Sequence, residues 1–528
     1  MKITKVGMIS VVAIVISSIS ASAWAAGSKP VYVQSRSSAV EIKAIATVGD
    51  TIGSTMIRGI PDGMGAFDNG RGGVTLLNVH EISISNPFAL TGKSDTAPWG
   101  ASITKFTVSK NTKSVTSASE FTNKINFYNY STGKYQDTPV GGAPADSAKG
   151  SFDWGISRYC SAAFTPAGAF IHDGVGFAGG LFTAGEESGD SSRAFAYDED
   201  GIGFQLPRMG MLSFENVVPG IKPGPNTVSI SLEDAQDGQV YVYVGKKQST
   251  GSAVDKAGLT NGDLHVMNIP SAKTDNIFRK DVGLKKKVPV EFKKVEWNTT
   301  PTAFAKESNE KGSIFTRVED GHWDLTNPNV FYFVTTESKG DPIATAPNPA
   351  TPTVSRDGGA LWRLTFKDAQ NPQLGAEIEM LLNGGETPYM SKPDNITVTN
   401  DGKYVLIQED PGNNALLARI IAYRVSDGKL AVVAQFDPAK FLKSGPEFIT
   451  EDEESSGIID ATEFFSKPDD TKAYFFFNAQ VHAKGAISAR PDLAKRSAAK
   501  KAAIDTRTVE GGQFYIMTIS DWNKVFTP

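Results

Sequence analysis

Val330-Phe-Tyr-Phe-Val-Thr-Thr-Glu337 is a run of β-branched and aromatic residues that stops in a carboxylate. Such residues fit a pleated strand, and an unbroken apolar run reads as a strand buried on both faces. The pattern recurs in Val74-Thr-Leu-Leu-Asn-Val-His80-Glu81, Gly180-Leu-Phe-Thr-Ala-Gly-Glu186-Glu187, Val228-Ser-Ile-Ser-Leu-Glu233-Asp234, Tyr404-Val-Leu-Ile-Gln-Glu409-Asp410 and Ala473-Tyr-Phe-Phe-Phe-Asn-Ala-Gln480-Val-His482. Six such strands set innermost around one axis would gather their polar ends at one mouth. Crowded carboxylates repel one another unless a cation neutralises them, so the pattern predicts hard metal ions with oxygen ligands.

Between these runs lie strands of a second kind, in Gln239–Gly245, Ala360–Phe366, Leu417–Val425 and Gln513–Ile519, each with aromatics and several entered from Gly or Asp-Gly turns. They read as neighbours of the first set. No fixed repeat period appears, and the 51 Gly and 28 Pro suit many tight turns. The expectation is an all-β fold: one irregular six- or seven-bladed β-propeller over residues 26–528 with long loop insertions. The expected insertions are 109–150, 245–287, the four-proline stretch 339–353 and the basic, Ala-rich 484–506.

Residues 1–25 read as a signal peptide. Lys2 and Lys5 precede an apolar stretch from Val6 to Ile19, and Ala23-Trp24-Ala25 makes a small-x-small cleavage site. No Arg-Arg pair precedes the apolar stretch, so the address is general bacterial secretion, to the periplasm or beyond. The formal charge of −5 argues against nucleic acid or anionic lipid as partner, and no membrane span is expected after cleavage. The expected partner is a small molecule and the expected state a monomer. A single cysteine, Cys160, excludes an internal disulfide and reads first as a small buried hydrophobe.

Three clusters carry candidate chemistry. Arg317-Val-Glu319-Asp-Gly-His322 sets a guanidinium fork, suited to two phosphate oxygens, beside carboxylates and a histidine. Lys392-Pro-Asp394-Asn395 with Glu409-Asp410 offers hard-cation ligands or an ordinary turn, and Glu451 to Asp460 holds five acids. Of five histidines, His80, His322 and His482 lie beside acids or at strand ends, where each is a structural group or a ligand or acid–base group. Serine-hydrolase, phosphate-loop and zinc-protease motifs are missing.

Gly59-Ile-Pro-Asp-Gly-Met-Gly, Asn78-Val-His80-Glu81, Arg158-Tyr-Cys-Ser, Gly185-Glu186-Glu187, Met209 to Asn216, Arg317-Val-Glu319-Asp-Gly, Asp394-Asn395, Gln408 to Gly412, Glu454 to Asp460 and Gln480-Val-His482 together resemble the PhoX-type secreted alkaline phosphatases. The resemblance implies a propeller whose mouth holds calcium and iron ions and acts on phosphate esters. It makes Glu215 a carboxylate of the iron pair, Arg317 the phosphate-binding arginine, and Glu187, Glu319, Asp394 and Glu409 ligands of the cluster. The family's iron-binding cysteine precedes the paired glutamates, where this chain has Gly185, which points towards calcium, or calcium with manganese.

The resulting expectation is an exported phosphomonoesterase. Its metal ligands are Glu81, Glu186, Glu187, Glu215, Glu319, Asp394, Asn395 and Glu409, and its catalytic residues Arg317 and His482. Its cofactors are calcium and, as a second metal, iron or manganese, which activate a water or hydroxide nucleophile. The alternatives are a phosphotriesterase and a non-catalytic calcium-binding surface propeller.

Overall fold

The long apolar runs fold as the second strands of antiparallel four-strand units in the computed structural model, which describes residues 31–84, 100–139, 155–347, 353–468 and 470–527. The expected signal segment 1–25 lies outside the described residues. Unit I is Pro61–Asp68, Gly73–His80, Ser102–Ser109 and Val115–Glu120. Unit II is Tyr159–Thr165, Leu181–Glu186, Ala194–Asp198 and Ile202–Gln205. Unit III is Phe214–Pro219, Asn226–Glu233, Val240–Lys246 and Asp263–Asn268. Unit IV is Val318–Trp323, Val330–Thr335, Ala360–Phe366 and Ala376–Leu382.

Unit V is Pro393–Val398, Tyr404–Glu409, Arg419–Arg424 and Leu430–Phe436. Unit VI joins Glu453–Asp460, Ala473–Lys484 and Glu510–Ile519 to Val40–Thr47 from the other end of the chain. First strands of successive units touch in order, and that of unit VI touches that of unit I, which closes the ring. The result is an all-β, propeller-like architecture. Units III and IV share one nine-stranded sheet through Val288–Val295, which pairs with Ala376–Leu382.

The ring corrects one expectation. The acid-tipped runs are not innermost; each stands one place out, behind the first strand of its unit. A second strand has a partner on each edge and a neighbouring sheet on each face, so it must be apolar throughout, whereas the first strand faces the axis and need not be. Gly73–His80, Leu181–Glu186, Val330–Thr335 and Tyr404–Glu409 are accordingly buried at every residue. The strands of the second kind take third place, as Val240–Lys246, Ala360–Phe366, Arg419–Arg424 and Glu510–Ile519.

Aromatic side chains fill the space between sheets: Trp362 stacks on Phe333 and meets Phe278 and Phe315 edge-on. First strands of units I and II approach so closely that a Cβ on Gly63 would lie 2.1 Å from the Ala162 amide nitrogen. Two expected insertions carry regular strands. Val115–Glu120 is the outer strand of unit I, while Lys124–Asn129 and Lys134–Gln136 extend unit II; Asp263–Asn268 is the outer strand of unit III. Residues 484–508 are largely helical, with Ala498–Thr508 the longest piece. Among the described residues no helix is long and apolar enough to cross a membrane.

Candidate metal centre

One backbone hydrogen bond recurs in all six units. The residue before the first strand accepts, through its carbonyl, from the amide of a residue at the end of the second: Ile60 from Glu81, Arg158 from Glu187, Ser213 from Asp234, Arg317 from Thr336, Lys392 from Asp410 and Asp452 from His482, at 2.8–3.0 Å. The start of every first strand and the end of every second strand therefore meet at one mouth. Near this point the register of every first strand slips by a bulge, a device that re-aims side chains.

Two residues beyond each of those carbonyls stand Asp62, Cys160, Glu215, Glu319, Asp394 and Glu454, all buried. They form a ring of five carboxyls and a thiol. Cys160 Sγ lies 3.3 Å from Asp62 Oδ2, and Ser456 Oγ lies 2.7 Å from both Asp62 and Glu454. Three ligand sets bring their donor atoms within 4.8 Å of one another: Asp62, Glu81 and Cys160; Cys160, Glu187 and Glu215; and Glu215, Glu319 and Asp394. Glu215 Oε2 and Asp394 Oδ1 are buried without a hydrogen-bond partner.

Burial, followed by like-charge crowding, pushes the carboxyls of Asp62, Glu215, Glu319 and Asp394 well above the ordinary range. Burial raises Glu187 to about 8 against the pull of Arg158, raises Glu454 to about 7, and pushes the Cys160 thiol well up. A bound cation would reverse these penalties. The donors present suit one: an all-oxygen set for a hard ion, and two thiol-containing sets for a softer transition metal.

Cations crown the ring. Arg317 grips Asp234 in a two-pronged contact, Nε to Oδ1 at 2.8 Å and Nη2 to Oδ2 at 2.7 Å, with Nη2 also 3.1 Å from Glu319. Arg158 Nη2 bridges Glu81 and Glu187, the latter at 2.5 Å. Arg158, Arg317 and Lys392 all adopt positive φ, at 50°, 54° and 46°, a cost of about 1–3 kcal/mol each in non-glycine residues that recurs here at equivalent positions. At the other side of the mouth, His482 Nδ1 lies 2.7 Å from Glu510 and Nε2 lies 3.7 Å from Glu454. Burial opposes charge on His482, but these two carboxylates outweigh it and raise its pKa well above the usual value.

Of the residues expected from sequence, Glu81, Glu187, Glu215, Glu319, Asp394, Arg317 and His482 converge on this mouth. Three others do not offer free donors to it. Strand alternation turns Glu186 and Glu409 to the opposite face from their successors Glu187 and Asp410, and each is occupied by an arginine: Arg193 on Glu186 at 2.6 and 2.7 Å, Arg419 on Glu409 at 2.6 Å. Asn395 lies beneath the ring with both amide atoms engaged, Nδ2 on Ser161 and Oδ1 with Ser456 Oγ and Gly457 N.

Among the other histidines, His80 is buried between Gly59 O and Thr104 Oγ1. His322 bonds Trp323 O and lines a cavity of about 200 Å³ formed by the far ends of the first strands. The sequence pattern marks Asp234 as a run end and Glu454 as one acid of a cluster without assigning either a role, does not single out Asp62, and reads Cys160 as packing. The available signal was an acid or thiol two residues into the short segment preceding each acid-tipped run. Gly185 is no vacant ligand position: a Cβ there would lie 2.2 Å from Phe214 Cβ, and the thiol of the mouth comes from Cys160.

Residues 198–459 match the family of alkaline phosphatase PhoX. No curated protein matches the chain. Among solved structures, PhoX of Pseudomonas fluorescens in complex with vanadate, a transition-state analogue, superposes with a TM-score of 0.59 at 11% identity, covering 95% of this chain and 98% of its own. That likeness is one of fold. A thermostable family-43 glycoside hydrolase (TM-score 0.33, 10% identity, 72% and 96% covered) and the periplasmic gluconolactonase PpgL of Pseudomonas aeruginosa (0.31, 12%, 71% and 85%) are more remote.

Proposed function

We propose that the protein is an exported, metal-dependent phosphoric ester hydrolase built on a six-bladed propeller. The observation that carries this reading is the ring of Asp62, Cys160, Glu215, Glu319, Asp394 and Glu454 lying directly under a buttressed arginine. The match to the PhoX family over 198–459 supports the phosphate-ester class.

Glu215, Glu319 and Asp394 would hold a hard cation such as calcium; Cys160, with Glu187 and Glu215 on one side and Asp62 and Glu81 on the other, would hold a transition metal, iron before manganese because of the thiol. Bound there, such ions supply Lewis acidity towards phosphoryl oxygens and lower the pKa of water. Arg317 meets the equatorial phosphoryl oxygens. Asp234 takes its Nε and Nη2 and so fixes the plane of the guanidinium, leaving Nη1, 3.8 Å from Glu337, on the open side. Asp234 is thus a positioning residue. His482, held by Glu510 at 2.7 Å, would serve as proton donor to the leaving oxygen.

The triesterase alternative draws no support from the mouth, because His80 and His322 are engaged elsewhere and arginine recognises negative charge that triesters lack. The test is hydrolysis of p-nitrophenyl phosphate by protein purified with its resident metals. Turnover lost on chelation and restored by calcium and iron is expected; a metal-replete protein inert to mono- and triesters would leave the calcium-binding propeller as the better account.

A further inference from the structure

Lys392 occupies in unit V the position that Arg158 and Arg317 occupy in units II and IV. Its carbonyl accepts from Asp410 N at 2.9 Å, its φ is 46°, and its side chain leans towards the preceding unit, as those of Arg158 and Arg317 do. The backbone equivalence therefore places Lys392 among the cations of the mouth. It differs from the arginines in what holds it.

Arg158 and Arg317 are tied down by carboxylates at 2.5–2.7 Å. The acid facing Lys392 Nζ is Glu337 Oε1 at 3.5 Å, beyond ordinary hydrogen-bond length, and the lysine side chain is 31% exposed. The same oxygen lies 3.8 Å from Arg317 Nη1, and Gln236 donates to the other oxygen of Glu337 at 2.9 Å. Lys392 Nζ and Arg317 Nη1 thus flank one carboxylate at the open side of the mouth, with donor capacity that this single acid does not fill.

We infer that Lys392 is a specificity residue, pairing with a second anionic group carried by the leaving portion of the substrate, so that the preferred esters are those whose alcohol is itself anionic. Glu337 holds the position until such a group displaces it. This rests on the hydrolase reading only in that the transferred phosphoryl sits at Arg317.

The experiment measures binding without turnover. Phenylphosphonate, 3-carboxyphenylphosphonate and 1,3-phenylenediphosphonate are titrated calorimetrically into the metal-loaded protein, and the preference for each probe with a second anionic group over phenylphosphonate is the readout. In Lys392→Met, which keeps Cβ and stem at the strained position, that preference should fall by roughly tenfold, the loss of one charge-assisted hydrogen bond. Lys392→Arg should retain most of it, and Glu337→Gln should raise it. A larger effect on the diphosphonate than on the carboxylate probe would identify a phosphate as the second anion, the reverse a carboxylate. Equal weakening of all three probes in Lys392→Met, no change, or no binding by the wild type would overturn the inference. Discriminating binding without ester turnover would sink the hydrolase reading and leave Lys392 as the contact for the second anion of a bound, unhydrolysed ligand.

Discussion

Glu186 and Glu187 are consecutive residues whose carboxylates face opposite sides of one strand: Arg193 Nε holds Glu186 at 2.6 Å, and Arg158 Nη2 holds Glu187 at 2.5 Å. The Arg193 pair is mostly buried and Arg158 is 41% exposed, and the two pairs serve different ends. Glu186 exists to neutralise Arg193, whereas Glu187 shares a ligand set with Cys160 and Glu215. Glu186→Ala should therefore cost on the order of 3 kcal/mol by stranding a buried guanidinium, with metal content unchanged. Glu187→Gln should lower metal content and cost little stability in chelator. Denaturant titration and elemental analysis of both variants decide the matter, and identical behaviour would dissolve the distinction.

Chelation should lower the unfolding temperature, and added calcium should restore it. Ions that bind only the folded mouth stabilise by mass action, about 2.7 kcal/mol at a hundred times Kd, and the carboxyls of the ring repel once the ions leave. Calorimetric scans with and without chelator provide the check. A transition indifferent to chelator would mean that the ring holds no ion.

Cys160→Ser separates the metals. The thiol belongs to two of the three ligand sets, and the third is oxygen only. The variant should lose the transition metal and keep the hard cation, so that elemental analysis shows calcium alone. Parallel loss of both metals would indicate one indivisible cluster.

How far the sequence disclosed this molecule follows from which strands have to be apolar. Second strands are enclosed on every side, so their character and their ends were legible, and with them Glu81 and Glu187. First strands face the axis and carry mixed residues such as Pro61-Asp62-Gly63-Met64, which no periodicity marks as strand. The ring side chains Asp62, Cys160 and Glu454 sit on those strands, so pattern gives Asp62 and Cys160 no place in the site and leaves Glu454 one undifferentiated acid of a cluster. Alternation at a strand end, which sends Glu409 to Arg419 and Asp410 to the mouth, depends on register that composition does not carry. The family resemblance supplied Glu215, which pattern alone left undistinguished, and gave Glu319 and Asp394, already marked by the Arg317 and Lys392 clusters, a role as ligands.

Away from the mouth, Glu120 gives the protein a pH dependence of a definite sign. Burial pushes its carboxyl up to about 7 in spite of Arg58. Between pH 4.5 and 7 the unfolded chain has released this proton while the folded chain keeps it, so the contribution is fully present below about 4.5 and is lost as pH rises through 7. Glu120→Gln should remove it. The stability of wild type relative to the variant should fall by on the order of 2 kcal/mol across that window, allowing for partial exposure. A flat difference between the two proteins would show that Glu120 titrates as an ordinary carboxylate.

Arg317→Ala tests the chemistry most directly. If the guanidinium stabilises charge that grows on the phosphoryl group, its removal should cut monoester turnover by about a hundredfold or more while metal content stays intact. Arg317→Lys should recover little, because a point charge cannot reproduce a planar fork whose Nε and Nη2 are fixed by Asp234. Asp234→Asn keeps the shape and weakens the clamp, so it should fall between wild type and Arg317→Ala, with kcat reduced more than KM is raised. A loss confined to KM in all three variants would make Arg317 a binding group without a role in the transition state. Loss of metal along with turnover would make it part of the scaffold of the ring.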